Sequence, residues 1–179
     1  MFHSGTQSLV GCWLSLSRSG HAPRRTDFSP ALTPELAPRL FLAERPQAGP
    51  TLRLAGEFVE VLFGRGLKGR PLAELWTEQS RPLAQRTALR AVREVRPFVI
   101  TAEGPSRYGE ALRMEVLLAP LADPDDQVTR LLGLMQPVAS AGFEAGPEFR
   151  LTARLAAAAG PAAGRPALSL AAADGRRTA

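Results

Sequence analysis

A glycine-rich run, Gly64-Arg65-Gly66-Leu67-Lys68-Gly69, spells G-x-G-x-x-G. Such a run grips a dinucleotide pyrophosphate when it joins a strand to a helix, because the helix N-terminus then meets the phosphates. Here it follows Glu57–Phe63, whose residues Phe58, Val59, Leu62 and Phe63 share one helical face. The run therefore reads as a helix stop and a turn, with Gly64 just past the helix end. Asp123, Asp125 and Asp126 form the only close set of carboxylates. They lack the glycine and the distant glutamate of a calcium loop, so they read as a solvated hairpin turn. The two histidines, His3 and His21, both sit in the N-terminal arm, and the sole cysteine is Cys12. No Ser/His/Asp or Cys/His nucleophile set is available to a core, and no metal-spaced cluster is present. The expectation is a protein with no catalytic residues and no metal site. Cys12 reads as a small apolar residue beside Trp13.

Composition bounds the setting. The chain has 179 residues, enough for one domain with tails. One cysteine permits no internal disulfide, which fits a reducing cytoplasm. No apolar run approaches the length of a membrane span. The stretch Leu9–Leu16 has no basic segment before it and no small-residue cleavage site after it, so it reads as a helix rather than a leader. The net charge of +5 is spread as +2 over residues 1–28, +1 over 29–138 and +2 over 139–179. A nucleic-acid domain would concentrate its cations on one element. The central segment does not, so no specific nucleic-acid partner is expected.

These residues must be positioned by elements that the sequence marks in order. Ser8–Arg18 can form a short helix with Leu9, Trp13 and Leu16 as its apolar stripe, ended by Gly20 and Pro23. Thr33-Pro34-Glu35 reads as a cap and first turn of a brief helix that stops near Pro38. Leu40–Ala43 and Thr51–Ala55 are strands joined by a turn at Pro46–Pro50. Three helices follow: Glu57–Phe63, Pro71–Trp76 and Arg81–Val95. Phe98–Thr101, Ala111–Leu121 and Val128–Val138 are the remaining strands, with turns at Glu103–Gly109 and Asp123–Asp126. On the long strand, Leu112, Met114, Val116 and Leu118 point one way and Arg113 and Glu115 the other. Residues 154–179 are Ala, Gly, Arg and Pro with little to bury, so a disordered tail is expected, transiently helical at most over Leu151–Ala159.

The order β-β-α-α-α-β-β-β resembles that of PAS domains, and more specifically of short single-domain bacterial PAS proteins once grouped as a domain of unknown function. The resemblance runs over about residues 9–138. It is carried by Trp13, Arg18, Gly20, Pro23, Arg25, Asp27 and Pro30, then Leu40-Phe41-Leu42, then Arg53–Gly56. Leu62-Phe63-Gly64-Arg65 with Leu67 and Gly69 follows, then Leu75-Trp76, Leu117–Leu121 and Arg130–Gly133. Glu57 departs from the pattern, which would put a small hydroxyl residue there. The resemblance implies an α+β fold: a five-stranded antiparallel sheet with helices on one face, an N-terminal flanking helix and a disordered C-terminal tail. The expected divisions are 1–30 for the flanking helix and linker, 31–139 for the PAS-like domain and 140–179 for the tail.

It also implies a cytoplasmic regulatory role in bacterial signalling, exercised through a small ligand, a protein partner or both. Two cofactors of this fold are argued against. Arg81–Val95 has no histidine to ligate haem, and no core cysteine could form a flavin adduct. A small apolar or amphipathic ligand would sit between sheet and helices, lined by Phe63, Trp76, Leu89, Val92, Met114 and Met135, with Arg53 or Arg113 supplying charge. The same apolar side chains would equally serve as plain core. The stripe Leu9, Trp13, Leu16 would either pack on its own domain or build a homodimer interface. The alternatives are a structural interaction protein with a filled core and, further off, a small hydrophobic-ligand carrier or enzyme.

Overall fold

The structure is a computed structural model that describes residues 1–18, 21–28, 34–44, 49–106, 111–139 and 145–160. The expected stop at Gly20, the Pro30 end of the linker, the Thr33 cap, the tips of the Pro46–Pro50 and Glu103–Gly109 turns and residues 161–179 lie outside the described residues.

Six strands make one antiparallel sheet: β1 (Leu40–Glu44), β2 (Thr51–Ala55), β3 (Phe98–Gly104), β4 (Leu112–Ala122), β5 (Val128–Pro137) and β6 (Thr152–Ala158). Their spatial order is β2-β1-β5-β4-β3-β6. The β1–β5 register sets Phe41 opposite Gly133, and the ring lies where a side chain at 133 would be: a Cβ there would come within 1.9 Å of Phe41 Cζ. This pair pins the register, because a slip by one residue would drive the ring into a leucine on either side.

The helices are α1 (Ser4–Leu16), α2 (Arg25–Phe28), α3 (Glu57–Phe63) and α4 (Arg81–Glu94). Gly64 ends α3 in the left-handed conformation, φ 59°, with its N–H on the carbonyls of Glu60 and Val61, so the glycine-rich run is a helix stop. Two predicted helices shrink to single 3-10 turns, Ala37–Arg39 and Leu72–Leu75.

One apolar layer lies between the sheet and α3, α4 and the 72–75 turn. It contains Leu112, Met114, Val116 and Leu118 of β4 with Leu62, Phe63, Leu75, Trp76, Ala88 and Val92. A second layer lies on the opposite face, where the expected N-terminal flanking helix packs. There α1 lays Leu9, Val10 and Trp13 on Val99, Leu117, Ala119, Leu121, Leu132 and Leu134. The helix begins earlier than Ser8 because the His3 imidazole caps it, Nδ1 accepting from Gly5 N–H at 3.1 Å. Backbone N–H of His3 in turn donates to both carboxylate oxygens of Glu115, at 3.0 and 3.1 Å. Glu115, on the side of β4 away from the first layer as expected, is therefore buried beneath the positive end of α1, where a carboxylate is favoured.

The sixth strand corrects the expected five. Residues 145–160 are neither a disordered tail nor a nascent helix. Phe149 and Leu151 alternate onto the core, 2% and 0% exposed, and β6 pairs with β3 from Glu103–Thr152 to Phe98–Ala158. Two buried anchors and an edge of unpaired β3 amides outweigh the helical preference of the alanines.

Candidate functional site

Five of the eight interior candidates come together. Phe63, Trp76, Val92, Met114 and Met135 are buried in one continuous cluster. Leu89 does not join them: it sits on the outer face of α4, 44% exposed. The inward stripe of α4 is instead Ala84, Thr87, Ala88, Ala91 and Val92. Arg53 points outward from β2 and pairs with Glu44 at 3.2 Å on the solvent side. Arg113 is exposed on β4. Neither arginine supplies charge to this cluster: Arg53 is exposed, and Arg113 lies on the face of β4 away from it.

The sequence reading missed Phe149 and Leu151, which enter this cluster from the C-terminal segment. Phe149 meets Phe63 edge to face, ring centroids 5.3 Å apart at 88°, a favoured aromatic geometry. Its ring also rests on Gly104, where a Cβ would stand 2.4 Å from Cζ. Backbone bonds fix the segment: Gly146 N–H to Leu62 O at 3.2 Å, Leu151 N–H to Leu75 O at 2.9 Å, and Thr77 N–H to Leu151 O at 3.0 Å. Ser80 Oγ accepts from Ala153 N–H at 2.9 Å. The period-2 spacing Phe149-Arg150-Leu151 was the available signal, and the surrounding alanines obscured it.

Several buried polar groups lack hydrogen-bond partners, Trp76 and Arg65 among them. Trp76 Nε1 is buried with none, although the residue is 1% exposed. Arg65, from the glycine-rich run, buries Nε and Nη2 without a hydrogen bond and lies 3.6 Å from Glu74. Burial, then the neighbouring Arg150 and Arg70, pushes the Arg65 guanidinium below its ordinary value.

Two recesses lie elsewhere. A recess of about 10 Å³ between Pro50, Leu72, Ala73, Ala84, Gln85 and Ala88 holds one water at most. An open cleft of about 330 Å³ runs along the N-terminal arm, lined by Leu16, Arg18, His21, Arg24, Asp27 and Asp126 among others. Its cations and carboxylates largely neutralise one another, and Arg24 pairs with Asp126 at 2.8 Å.

The interface candidates Leu9 and Trp13 are 1% and 0% exposed against this chain's own sheet, and Leu16 is half-buried beside them. The stripe therefore packs on its own domain. Cys12 is half-buried, and burial pushes its thiol up, which lowers its reactivity. Among the described residues there is no group of three or more metal-ligating side chains. Among the described residues no helix is long and apolar enough to cross a membrane.

This antiparallel sheet, with its α3, 3-10 turn and α4 between β2 and β3, is the PAS architecture. The protein-family model for the PAS domain matches residues 1–136, and the chain belongs to that family, whose members serve as sensory and signalling modules. Solved structures similar to it include a Rhodobacter sphaeroides LOV protein, with 15% identity over 78% of this chain and 71% of that one, TM-score 0.47. The blue-light activated histidine kinase EL346 of Erythrobacter litoralis shares 20% identity over 60% of this chain and 36% of its own, TM-score 0.46. An RNA-binding light-oxygen-voltage receptor shares 20% identity over 63% of this chain and 34% of its own, TM-score 0.48. No curated protein matches the chain.

Proposed function

We propose that the chain is a non-catalytic, cytoplasmic PAS regulatory module that reports through a protein partner. One observation carries this reading. The apolar cluster that holds the candidate lining residues also takes in Phe149 and Leu151 of the same chain, while Arg53 and Arg113 lie outside it. Small-molecule sites need a few converging polar groups to orient the ligand, and the interior candidates are otherwise apolar. Neither haem nor a flavin adduct is part of the proposal, and no metal is required.

A second reading, a small apolar or amphipathic ligand, is favoured by Trp76 Nε1. A buried donor without a protein partner can be satisfied by an ordered water or by an acceptor on a bound molecule. Native mass spectrometry of the purified protein separates the two. The partner reading expects the bare polypeptide mass with no small-molecule adduct. A stoichiometric adduct that survives desalting would overturn it in favour of the ligand.

A further inference from the structure

Residues 145–160 lie beyond the family match, which ends at 136, yet they complete the core. Their manner of attachment is that of a bound peptide. Leu151 exchanges two backbone hydrogen bonds with the 75–77 segment, N–H to Leu75 O and O to Thr77 N–H. β6 then adds to the free edge of β3 as one more strand. Phe149 and Leu151, two residues apart, drop into adjacent apolar sockets on the same face. This is strand addition: main-chain bonds hold the segment and alternate side chains select it. The aromatic socket is shaped for a ring, with Phe63 edge-on and Gly104 leaving room that any side chain would fill.

Beyond those two anchors the segment is held by its backbone ladder to β3, an Arg154–Glu103 ion pair and the Ser80–Ala153 bond, with little large apolar surface buried. Leu155 is 63% exposed, and Ala153 and Ala156–Ala159 bring little surface to bury. The β3–β6 ladder is interrupted by a register shift at Thr101/Ala102. An alanine run prefers helix to strand. Few buried contacts and an interrupted ladder are the marks of a unit that opens below the global unfolding threshold.

We propose that residues 145–160 are a detachable plug, and that the groove beneath it is a docking site for an extended peptide with an aromatic residue two positions before an aliphatic one. The plug occupies the site in cis, and a partner carrying the same pattern takes its place. This names the partner chemistry of the module proposed above and rests on that reading for its purpose; the binding measurement is independent of any signalling output.

The test uses the full chain and a fluorescent synthetic peptide of residues 145–160. Phe149→Ala weakens the cis plug, so the peptide should bind that variant at least tenfold more tightly than wild type, by fluorescence anisotropy. A peptide carrying Phe149→Ala should bind neither protein. Equal or weaker binding to the variant overturns the proposal. If Phe149→Ala does not fold, hydrogen exchange of the wild type decides. Leu155 and Ala157 amides should then exchange at least tenfold faster than the slowest β4–β5 amides. Exchange of both sets at one common rate overturns it, since the plug would then open only with the whole domain.

Discussion

The indole Nε1 of Trp13 donates a 2.7 Å hydrogen bond to the carbonyl oxygen of Pro120. It does so where β4 has run past its neighbour: the last β3–β4 pair is Phe98 with Leu118. Alternation turns the backbone groups of Pro120 and Ala122 toward this vacated edge. Ala122 N–H is taken up by Pro23 O at 2.9 Å. Proline brings no N–H to the edge, so only its carbonyl needs a partner, and α1 delivers one.

Trp13→Phe keeps most of the apolar volume and strands that buried carbonyl, which should cost about 1–3 kcal/mol. Trp13→Ala also opens a cavity and should cost about 3–5 kcal/mol. Urea unfolding should show lower midpoints with little change in slope. A neutral Trp13→Ala would contradict the packing of α1 on its own sheet.

The Arg24–Asp126 pair ties the N-terminal arm to the β4–β5 turn and gives stability a pH dependence. The Arg24 hydrogen bond, then its charge, holds the Asp126 carboxyl below the usual carboxylate range, with His21 adding a smaller pull in the same direction. The folded state thus binds this proton less readily than the unfolded state. The pair stabilises above the unfolded value, and its contribution is lost as pH falls through the lowered folded value. Both groups are exposed, so the effect is small and screened by salt. Thermal melts of wild type and Asp126→Asn should differ slightly at about pH 6 and converge toward about pH 2.

Gly104→Ala puts a methyl group into the ring of Phe149 and should destabilise by about 1–3 kcal/mol through overpacking. Because the clash needs the ring, the loss should shrink in the Phe149→Ala background. A double-mutant cycle should give a coupling of about 0.5–3 kcal/mol. Additive losses would mean that residue 104 and the plug do not touch.

Leu89→Ala and Arg53→Ala act on exposed side chains and should each change stability by no more than about 0.5 kcal/mol. Met114→Ala, in the same set of interior candidates, should cost about 2–5 kcal/mol. The same unfolding curves check both expectations.

How far the sequence foretold this structure depended on where periodicity met burial. Leu112, Met114, Val116 and Leu118 alternate cleanly, and they do share the inner face of β4. The outer face was harder. Arg113 and Glu115 look solvated, yet Leu117, Ala119 and Leu121 continue the same phase beneath α1. One buried carboxylate with a backbone partner from His3 disguised a covered face as an open one. Leu89 misled in the opposite sense: α4 packs through alanines, so its one long aliphatic side chain on that turn was taken for the buried one. For residues 145–160, composition hid two anchors among alanines. Strand addition draws on the edge of β3, a feature no local window contains.

The two attachments of α1 to β4 have a consequence for chain length. His3 and Trp13 are ten residues apart on the helix, and their partners Glu115 and Pro120 are five apart on the strand. Ten residues of helix rise about 15 Å, and five of strand rise about 17 Å. The two spacings nearly coincide, so α1 behaves as a gauge laid along β4. Inserting one residue between His3 and Trp13 would swing the indole about 100° around the helix axis and leave one end of the gauge off its mark. Most sequence changes along α1 can be absorbed by the side chains around them, but its length cannot drift by a single residue.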